Sequence, residues 1–329
     1  MRIVATFIAG SVLAALALTS GCDDVPADDP AGDPGLPPFP PPGEPVPPPD
    51  PGPVPPPPPM PVPVPDPEPT GLQPELPAPK GACPDFVEGQ QASFLGVNVL
   101  LNVVGAPDKN GPLLIYWHGT GSNPAWELYA GVGREASDAI RARGGVVAGM
   151  IAGQTSGGTN TSGNGVWNTM DMEIADEVVA CAAARAGIDP RRIHSLGMSA
   201  GGLQTSAYSY RRSRYLASVA TYSGGNIVWN GYPRPLPPLD NPDNKFGALI
   251  FHGGPSDNVG IGFEETSKAF HKDLSDRGHP AIICNHGGGH SIPSAGGQAA
   301  WRFFQDHPFG QRPADQGSLP DYLPDYCSL

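Results

Sequence analysis

Positive charge is scarce in this chain of 329 residues, which has 19 Lys and Arg against 32 Asp and Glu. Ten of the acidic residues fall between residues 23 and 80, so that residues 81–329 hold 22 acidic and 17 basic residues. This remainder is mildly acidic and has no basic stripe. We therefore expect no nucleic-acid partner.

Two further absences narrow the class of protein. No CxxC pair occurs among the five cysteines, and we expect no bound metal. The apolar run Ile3–Leu18 is too short for a comfortable membrane span. Because it follows Arg2 and precedes small residues, it is typical of a cleaved export signal, and residues 1–21 are predicted to be a signal peptide.

Cys22 directly follows this signal, which resembles the signal of bacterial lipoproteins. That resemblance implies that Cys22 becomes the lipidated first residue of the mature chain and anchors it to a membrane without a spanning helix. The alternative is an ordinary signal peptide cut nearby. The expected location is periplasmic or cell-surface, as an exported lipoprotein, and otherwise secreted. The sequence indicates no required protein partner.

Proline is concentrated in residues 22–80, where it alternates with Asp, Glu, Val and Gly. Such a composition cannot bury a core and favours polyproline II, so this segment is predicted to be a semi-rigid tether. The alternative is that this segment contains a PxxP ligand that a recognition domain of another protein binds.

Four cysteines remain in the body of the chain. An even number in an exported protein suggests two disulfides, for which three connectivities exist. We favour a bond from Cys83 to Cys327, which would tie the ends of the body, and one from Cys181 to Cys284.

Residues 81–329 alternate apolar strand-like runs with helical patterns, which predicts one α/β domain whose mostly parallel sheet is covered by helices on both faces. In such sheets, reacting groups collect on loops at the carboxyl ends of the strands. The predicted strands are Ala92–Val104 (a strand or hairpin), Pro112–Trp117, Val146–Ile151, Ile193–Leu196, Ala217–Tyr222, Ala248–His252 and Ala281–Asn285. The predicted helices are Gly133–Arg143, Asp171–Ala186, a segment from GMSAGG to about Tyr210, and Glu264–Arg277.

Ser199 lies within GMSAG, between the strand Ile193–Leu196 and a helical pattern. G-x-S-x-G in that context is typical of a tight turn that exposes a nucleophilic serine. The alternative is a structural glycine turn. A serine nucleophile also needs a base, a group that orients the base, and donors for the developing oxyanion.

His290 and Asp257 are the candidates for the base and the orienting acid. His290 lies in a glycine loop after the strand Ala281–Asn285, and Asp257 follows the preceding strand. His286 competes for the role of base but is closer to the strand, which favours a packing role. The order Ser199, Asp257, His290 is that of α/β-hydrolases.

The oxyanion donors are predicted from two loops. The backbone N–H of Ala200 follows the nucleophile at the helix start, and YWHGTGS supplies Thr120, with Gly121 as the second choice. We interpret His118 as a structural residue that closes its strand.

Residues 92–305 contain, in this order, His118-Gly119, Trp167-Asn168, Gly187–Gly202, His252-Gly253 with Asp257 and Val259, and Gly289-His290 with Pro293. These motifs resemble those of the secreted esterase family of polyhydroxybutyrate depolymerases, feruloyl esterases and acetylxylan esterases. The resemblance implies an α/β-hydrolase fold and ester hydrolysis. Val166, where the family often has Cys, and Ser291-Ile292, where an aromatic residue is frequent, depart from the pattern.

The same resemblance implies that Trp167 lies beside the mouth of the active site, where its indole could pack on a substrate. The alternative is a loop anchor packed on the edge of the sheet.

These patterns together predict an exported serine carboxylic-ester hydrolase that acts through an acyl-enzyme on an extracellular ester or polyester, without a cofactor. One alternative is a serine peptidase of the same fold, although the chain lacks the additional propeller or large lid region that such peptidases usually carry. The other is a surface binding protein that has lost turnover.

Overall fold

The computed structural model describes residues 71–155, 166–229, 232–233, 236–311 and 317–329. The predicted signal peptide, Cys22 and residues 23–70 of the predicted tether lie outside these ranges, as do residues 156–165.

Eleven strands are assigned in the described ranges, and nine of them form one sheet. They are β1 (Gln91–Phe94), β2 (Val97–Val104), β3 (Leu113–Trp117), β4 (Val146–Met150), β5 (Ile193–Met198), β6 (Ser218–Tyr222), β7 (Val228–Trp229), β8 (Tyr232–Pro233), β9 (Gly247–His252), β10 (Ala281–Asn285) and β11 (Cys327–Ser328). The large sheet has the order β1-β2-β4-β3-β5-β6-β9-β10-β11, and β7 pairs with β8 separately.

The middle of the sheet is parallel and its ends are antiparallel. Neighbouring strands from β4 to β10 run in the same direction. The β1–β2 hairpin and β11 close the two ends with antiparallel pairs. The mostly parallel sheet predicted from the sequence is therefore confirmed.

Helices cover both faces of the sheet. They are α1 (Pro124–Gly131), α2 (Arg134–Ala142), α3 (Thr169–Cys181), α4 (Ala200–Arg211), α5 (Phe263–Asp276) and α6 (Gly296–Asp306). Alternate residues of β3 face opposite sides of the sheet. Leu113, Ile115 and Trp117 lie in the hydrophobic core that includes residues of α3, α4 and α5. Leu114 and Tyr116 lie in the core that includes residues of α1, α2 and α6. A strand with side chains on both faces of a covered sheet is apolar throughout, as this one is.

The boundaries of α3 follow from its end residues. Asn168 accepts from the N–H of Met170, and the carboxylate of Asp171 accepts from the N–H of Asn168 at 2.7 Å, which forms a capping box. A π-helical turn, Ala182–Ala186, continues the helix up to Gly187, whose φ of 60° ends it. The first residue of α3, Thr169, lies two residues before the predicted start at Asp171.

The disulfide pairing expected from the sequence is wrong. Cys83 is bonded to Cys181, and Cys284 is bonded to Cys327. The second pair follows from strand register, because β11 lies antiparallel to β10 with Cys284 opposite Cys327. The bond from Cys83 ties the start of the domain to the last turn of α3 instead of to the carboxyl terminus.

Residues 71–80, which composition assigned to the tether, contact the domain. The N–H of Glu75 donates to the carbonyl of Arg214 at 2.9 Å, and the N–H of Lys80 donates to Glu177 at 2.8 Å. Leu76 packs against the core. An apolar side chain and paired backbone groups hold these residues on the surface, so this part of the predicted tether is not a free spacer.

Within the described ranges, no helix combines the length and apolarity that a membrane span needs.

Candidate active site

Ser199 stands at the junction of β5 and α4 in a conformation that few non-glycine residues adopt. Its φ is 57° and its ψ is −119°, and strain of this kind costs on the order of 1–3 kcal/mol. The N–H of Ser199 donates to the carbonyl of Tyr222, and the carbonyl of Ser199 accepts from the N–H of Leu203, both at 2.9 Å. These bonds hold the turn at the carboxyl edge of the sheet.

The glycines around Ser199 are needed because other backbone lies against them. A Cβ on Gly197 would be 2.3 Å from the carbonyl oxygen of Gly201, and a Cβ on Gly201 would be 1.9 Å from that of Trp117. Neither distance leaves room for a side chain. The G-x-S-x-G pattern therefore reflects close packing of the turn against β3 and against the start of α4.

His290 connects Ser199 to Asp257. Its Nε2 is 2.9 Å from Oγ of Ser199, and its Nδ1 is 2.7 Å from Oδ1 of Asp257. The side chain of His290 is 20 % exposed and that of Asp257 is fully buried. The structure thus brings together the three side chains that the sequence predicted, from loops after β5, β9 and β10.

Asp257 is held by donors on both oxygens. Besides the contact of Oδ1 with His290, Oδ2 accepts from the hydroxyl of Ser223 at 2.8 Å and from the N–H of Gly253 at 2.9 Å. Burial alone raises the pKa of Asp257, but the hydrogen bonds from His290, Gly253 and Ser223 outweigh it and lower the pKa below its ordinary value. The carboxylate therefore stays ionised beside the imidazole.

Two contributors to this arrangement were missed in the sequence. Ser223 is fully buried at the end of β6 with a φ of 48°. Phe263, at the start of α5, stacks on the ring of His290 with 4.7 Å between centroids. Neither residue belongs to a motif, because each is brought to the site by a separate strand or helix.

The loop after β3 lies over Ser199. A Cβ on Gly119 would be 3.3 Å from Cβ of Ser199, and the N–H of Ser122 donates to the carbonyl of Gly119 at 3.1 Å, closing a turn. Thr120 is exposed at the second position of this turn. Ala200 begins α4, where backbone N–H groups have no partner within the helix. The structure places both predicted oxyanion loops beside the serine.

Trp167 is in the interior, and only 1 % of its surface is exposed. Its indole N–H donates to the carbonyl of His118 at 3.0 Å, and its ring meets those of Trp117 and His118 edge to face. A substrate-packing role for Trp167 needs an exposed ring face, which this conformation does not provide. The contacts are those of a loop anchor, which corrects the assignment of Trp167 as a substrate contact.

His286 does not contact Ser199 or Asp257 among the hydrogen bonds of the described residues. Its Nδ1 accepts from the N–H of Gly288 at 3.2 Å, and its ring packs edge-on against Tyr326. His290 lies four residues after His286, and its two ring nitrogens contact Asp257 and Ser199 instead. In the described part of the chain, no three His, Cys, Asp or Glu side chains cluster as a metal site would require.

No family model and no curated protein matches the sequence. The chain is similar in structure to native pOPH and to native sOPH, each with a TM-score of 0.56 and 18 % identity, over 77 % of this chain and 96 % of the other. The fold is that of the α/β-hydrolases. A more distant likeness is to a butyrate-bound thermophilic esterase from the Planctomycetes species Thermogutta terrifontis, with a TM-score of 0.46, 17 % identity, and coverage of 68 % and 92 %.

In an α/β-hydrolase fold, reacting groups lie at the carboxyl ends of parallel strands. Ser199, Asp257 and His290 follow β5, β9 and β10 in that arrangement. The α/β-hydrolase fold also accounts for their chain order.

Proposed function

We propose that this protein is a serine carboxylic-ester hydrolase that acts through an acyl-enzyme. The observation that supports this most directly is the hydrogen-bonded series from Ser199 through His290 to Asp257, with Ser199 on a strained turn at the carboxyl edge of the sheet. A serine hydroxyl is a weak nucleophile until a neighbouring base accepts its proton.

In the first half of the proposed reaction, Oγ of Ser199 attacks the ester carbonyl carbon while Nε2 of His290 takes the hydroxyl proton. Asp257 keeps the other ring proton on Nδ1 and stabilises the imidazolium that forms. The tetrahedral intermediate then collapses as His290 returns the proton to the departing alcohol. The product is an ester of Ser199 with the acyl group.

The negative charge of each tetrahedral intermediate would be met by backbone donors. The N–H of Ala200 lies at the start of α4, and the N–H of Thr120 lies in the turn over Ser199. Fixed donors aimed at a developing oxyanion contribute about 2.7–4 kcal/mol each to lowering the barrier.

In the second half, water attacks the acyl-enzyme. His290 accepts a proton from the water and then delivers it to Oγ of Ser199, which releases the carboxylic acid. No cofactor enters either half. The chemistry that this site fits is therefore hydrolysis of a carboxylic ester, and we propose an extracellular ester or polyester such as a polyhydroxyalkanoate, a feruloyl ester or an acetyl ester.

The test follows release of p-nitrophenol from esters of increasing acyl length by the purified protein and by Ser199→Ala. The expected result is turnover by the wild type and a loss of at least about 10³-fold in the variant. Ser275→Ala, an exposed serine on α5, is the matched control and should keep wild-type activity. A fluorophosphonate should label the wild type and Ser275→Ala but not Ser199→Ala.

The preferred acyl length separates an acetyl esterase from a longer-chain or polyester hydrolase. Equal release by the wild type and Ser199→Ala would contradict the proposed function. Cleavage of peptides without cleavage of activated esters would replace it with a peptidase activity.

We further propose that Cys22 carries a lipid that anchors the exported enzyme to a membrane. The position of Cys22 directly after a short export signal supports this. Cells fed an alkyne-labelled fatty acid should label the wild type but not Cys22→Ala, and the wild type should sediment with membranes. An unlabelled wild type in the soluble fraction would contradict the anchor and leave the esterase proposal untouched.

A further inference from the structure

Glu127 is a buried carboxylate behind the loop that follows β3. It lies on α1 and is 5 % exposed. Its Oε1 accepts from the N–H of Gly119 at 3.0 Å and from the hydroxyl of Tyr116 at 2.9 Å, while its Oε2 is 3.2 Å from the same N–H. Among the ion pairs of the described residues, none includes Glu127.

A buried carboxylate without a cation is expensive, and its charge must be met by hydrogen-bond donors. Among the hydrogen bonds of the described residues, the donors to Glu127 are one phenol hydroxyl and one loop N–H. Burial, followed by the nearby charge of Glu127 and by this hydrogen bond, raises the pKa of Tyr116 well above its ordinary value, so the phenol remains a donor. The N–H of Gly119 is therefore one of the two donors that these hydrogen bonds supply to Glu127.

Gly119 lies between Glu127 and the candidate nucleophile. From the position that a Cβ of Gly119 would occupy, Oε2 of Glu127 is 3.4 Å away and Cβ of Ser199 is 3.3 Å away. The N–H of Gly119 points to the carboxylate and is thus unable to serve the oxyanion. The next peptide in the turn carries the N–H of Thr120.

We infer that Glu127 is a positioning residue for the oxyanion hole. By fixing the Gly119 N–H through two carboxylate oxygens, it sets the orientation of the turn from Gly119 to Ser122 and keeps the N–H of Thr120 aimed at the carbonyl oxygen bound over Ser199. The inference rests on the proposed esterase function.

The geometry distinguishes three replacements. Glu127→Gln keeps an oxygen within reach of Gly119 and removes the charge. Glu127→Asp keeps the charge but withdraws both oxygens from the loop by one methylene. Glu127→Met removes every acceptor at similar length. Tyr210→Phe is the matched control, because the buried hydroxyl of Tyr210 also donates to a carboxylate, that of Asp273 on α5, and among the hydrogen bonds of the described residues it makes none to the loop.

The experiment measures kcat and KM for a p-nitrophenyl ester, with both values referred to active sites counted by fluorophosphonate labelling. Misplacing one oxyanion donor should lower kcat by about 10–100-fold, less than the 10²–10³-fold of losing it. We expect this decrease in Glu127→Asp and Glu127→Met, with KM within about threefold of wild type. Glu127→Gln should retain kcat within about fivefold, and Tyr210→Phe should lower the melting temperature while keeping kcat per active site.

A structural role alone would lower the number of active sites and leave kcat per site unchanged in every Glu127 variant, which would overturn the inference. So would a larger decrease in Glu127→Gln than in Glu127→Asp, since charge and not position would then matter. If Glu127→Met fails to fold, the comparison of Gln with Asp decides alone. A wild type without ester turnover would instead contradict the proposed function, independently of the Glu127 variants.

Discussion

The hydroxyl of Ser223 donates to Oδ2 of Asp257 across 2.8 Å, on the side of the carboxylate opposite His290. Ser223 directly follows β6 and has a positive φ of 48°. The orienting carboxylate is therefore itself oriented by a residue from a neighbouring strand.

Replacing Ser223 by alanine should weaken this support. Asp257 has a pKa below its ordinary value, so its contribution to stability is complete above the unfolded pKa of about 3.9 and is lost as pH falls through the lower folded pKa. The variant loses part of that contribution. We expect Ser223→Ala to reduce the free energy of unfolding by about 1–3 kcal/mol at pH 7, with a smaller difference from wild type below pH ~4.

Urea unfolding at pH 7, 5 and 3.5 measures this difference. Ser209→Ala is the matched control, because the hydroxyl of Ser209 is also fully buried but donates to the neutral carbonyl of Ser206. Its difference from wild type should not change with pH over this range. A pH-independent difference for Ser223→Ala would show that its hydroxyl does not act through the charge of Asp257.

Asp257→Asn should abolish most turnover while the fold remains. Oδ2 accepts from Ser223 and from the N–H of Gly253, so the amide oxygen must face those donors and the amide N–H₂ must face His290. The imidazole would then present the wrong tautomer to Ser199. We expect kcat to decrease by about 10³–10⁴-fold, as this substitution does in a Ser-His-Asp triad.

Steady-state kinetics at pH 7 measure this decrease, with the melting temperature recorded alongside it. Asp138→Asn, which removes an exposed carboxylate paired with Arg141, serves as the control and should keep full activity. Turnover of Asp257→Asn within tenfold of wild type would remove Asp257 from the role proposed for it.

Gly201, two residues after Ser199, should not tolerate any side chain. A Cβ on Gly201 would lie 1.9 Å from the carbonyl oxygen of Trp117, which is backbone and cannot swing away. We expect Gly201→Ala to reduce the free energy of unfolding by about 1–3 kcal/mol or more and to displace β3 from α4. Gly317→Ala, where nothing lies within 4 Å, should be neutral. Denaturant unfolding of both variants makes the comparison, and equal stability would show that the turn can relax.

The two disulfides should be separable by peptide mapping and by stability. A non-reduced digest should yield Cys83 linked to Cys181 and Cys284 linked to Cys327. The sequence separations are 98 and 43, so loop entropy predicts that removing the first bond costs about 0.7 kcal/mol more than removing the second. Thermal unfolding of the two double Cys→Ser variants tests the order. A peptide that links Cys83 to Cys327 would contradict the pairing.

Most of the strands and the layer order could be predicted from sequence because their signals are local. The apolar run of β3 marks a strand covered on both sides, and the helical pattern from Asp171 marks α3 to within two residues of its start. Helices α1 and α6 were not predicted. Eight residues with an exposed Trp126 and Tyr129 give α1 a weak helical pattern, and α6 begins with two glycines, which are poor helix formers.

The sequence by itself determined the order Ser199, Asp257, His290 and the strand that each one follows. The signals for this order are hydrophobic periodicity, glycines and loop position, which depend only on residues close together in the chain. Only the tertiary structure decided which distant side chains meet. The pairing of Cys284 with Cys327 depends on β11 joining the sheet edge, and the contacts of Ser223 with Asp257 and of Glu127 with Gly119 join separate strands and loops. Such contacts follow from the order of strands in the sheet, which differs from their order in the chain. No short stretch of the sequence therefore predicts them.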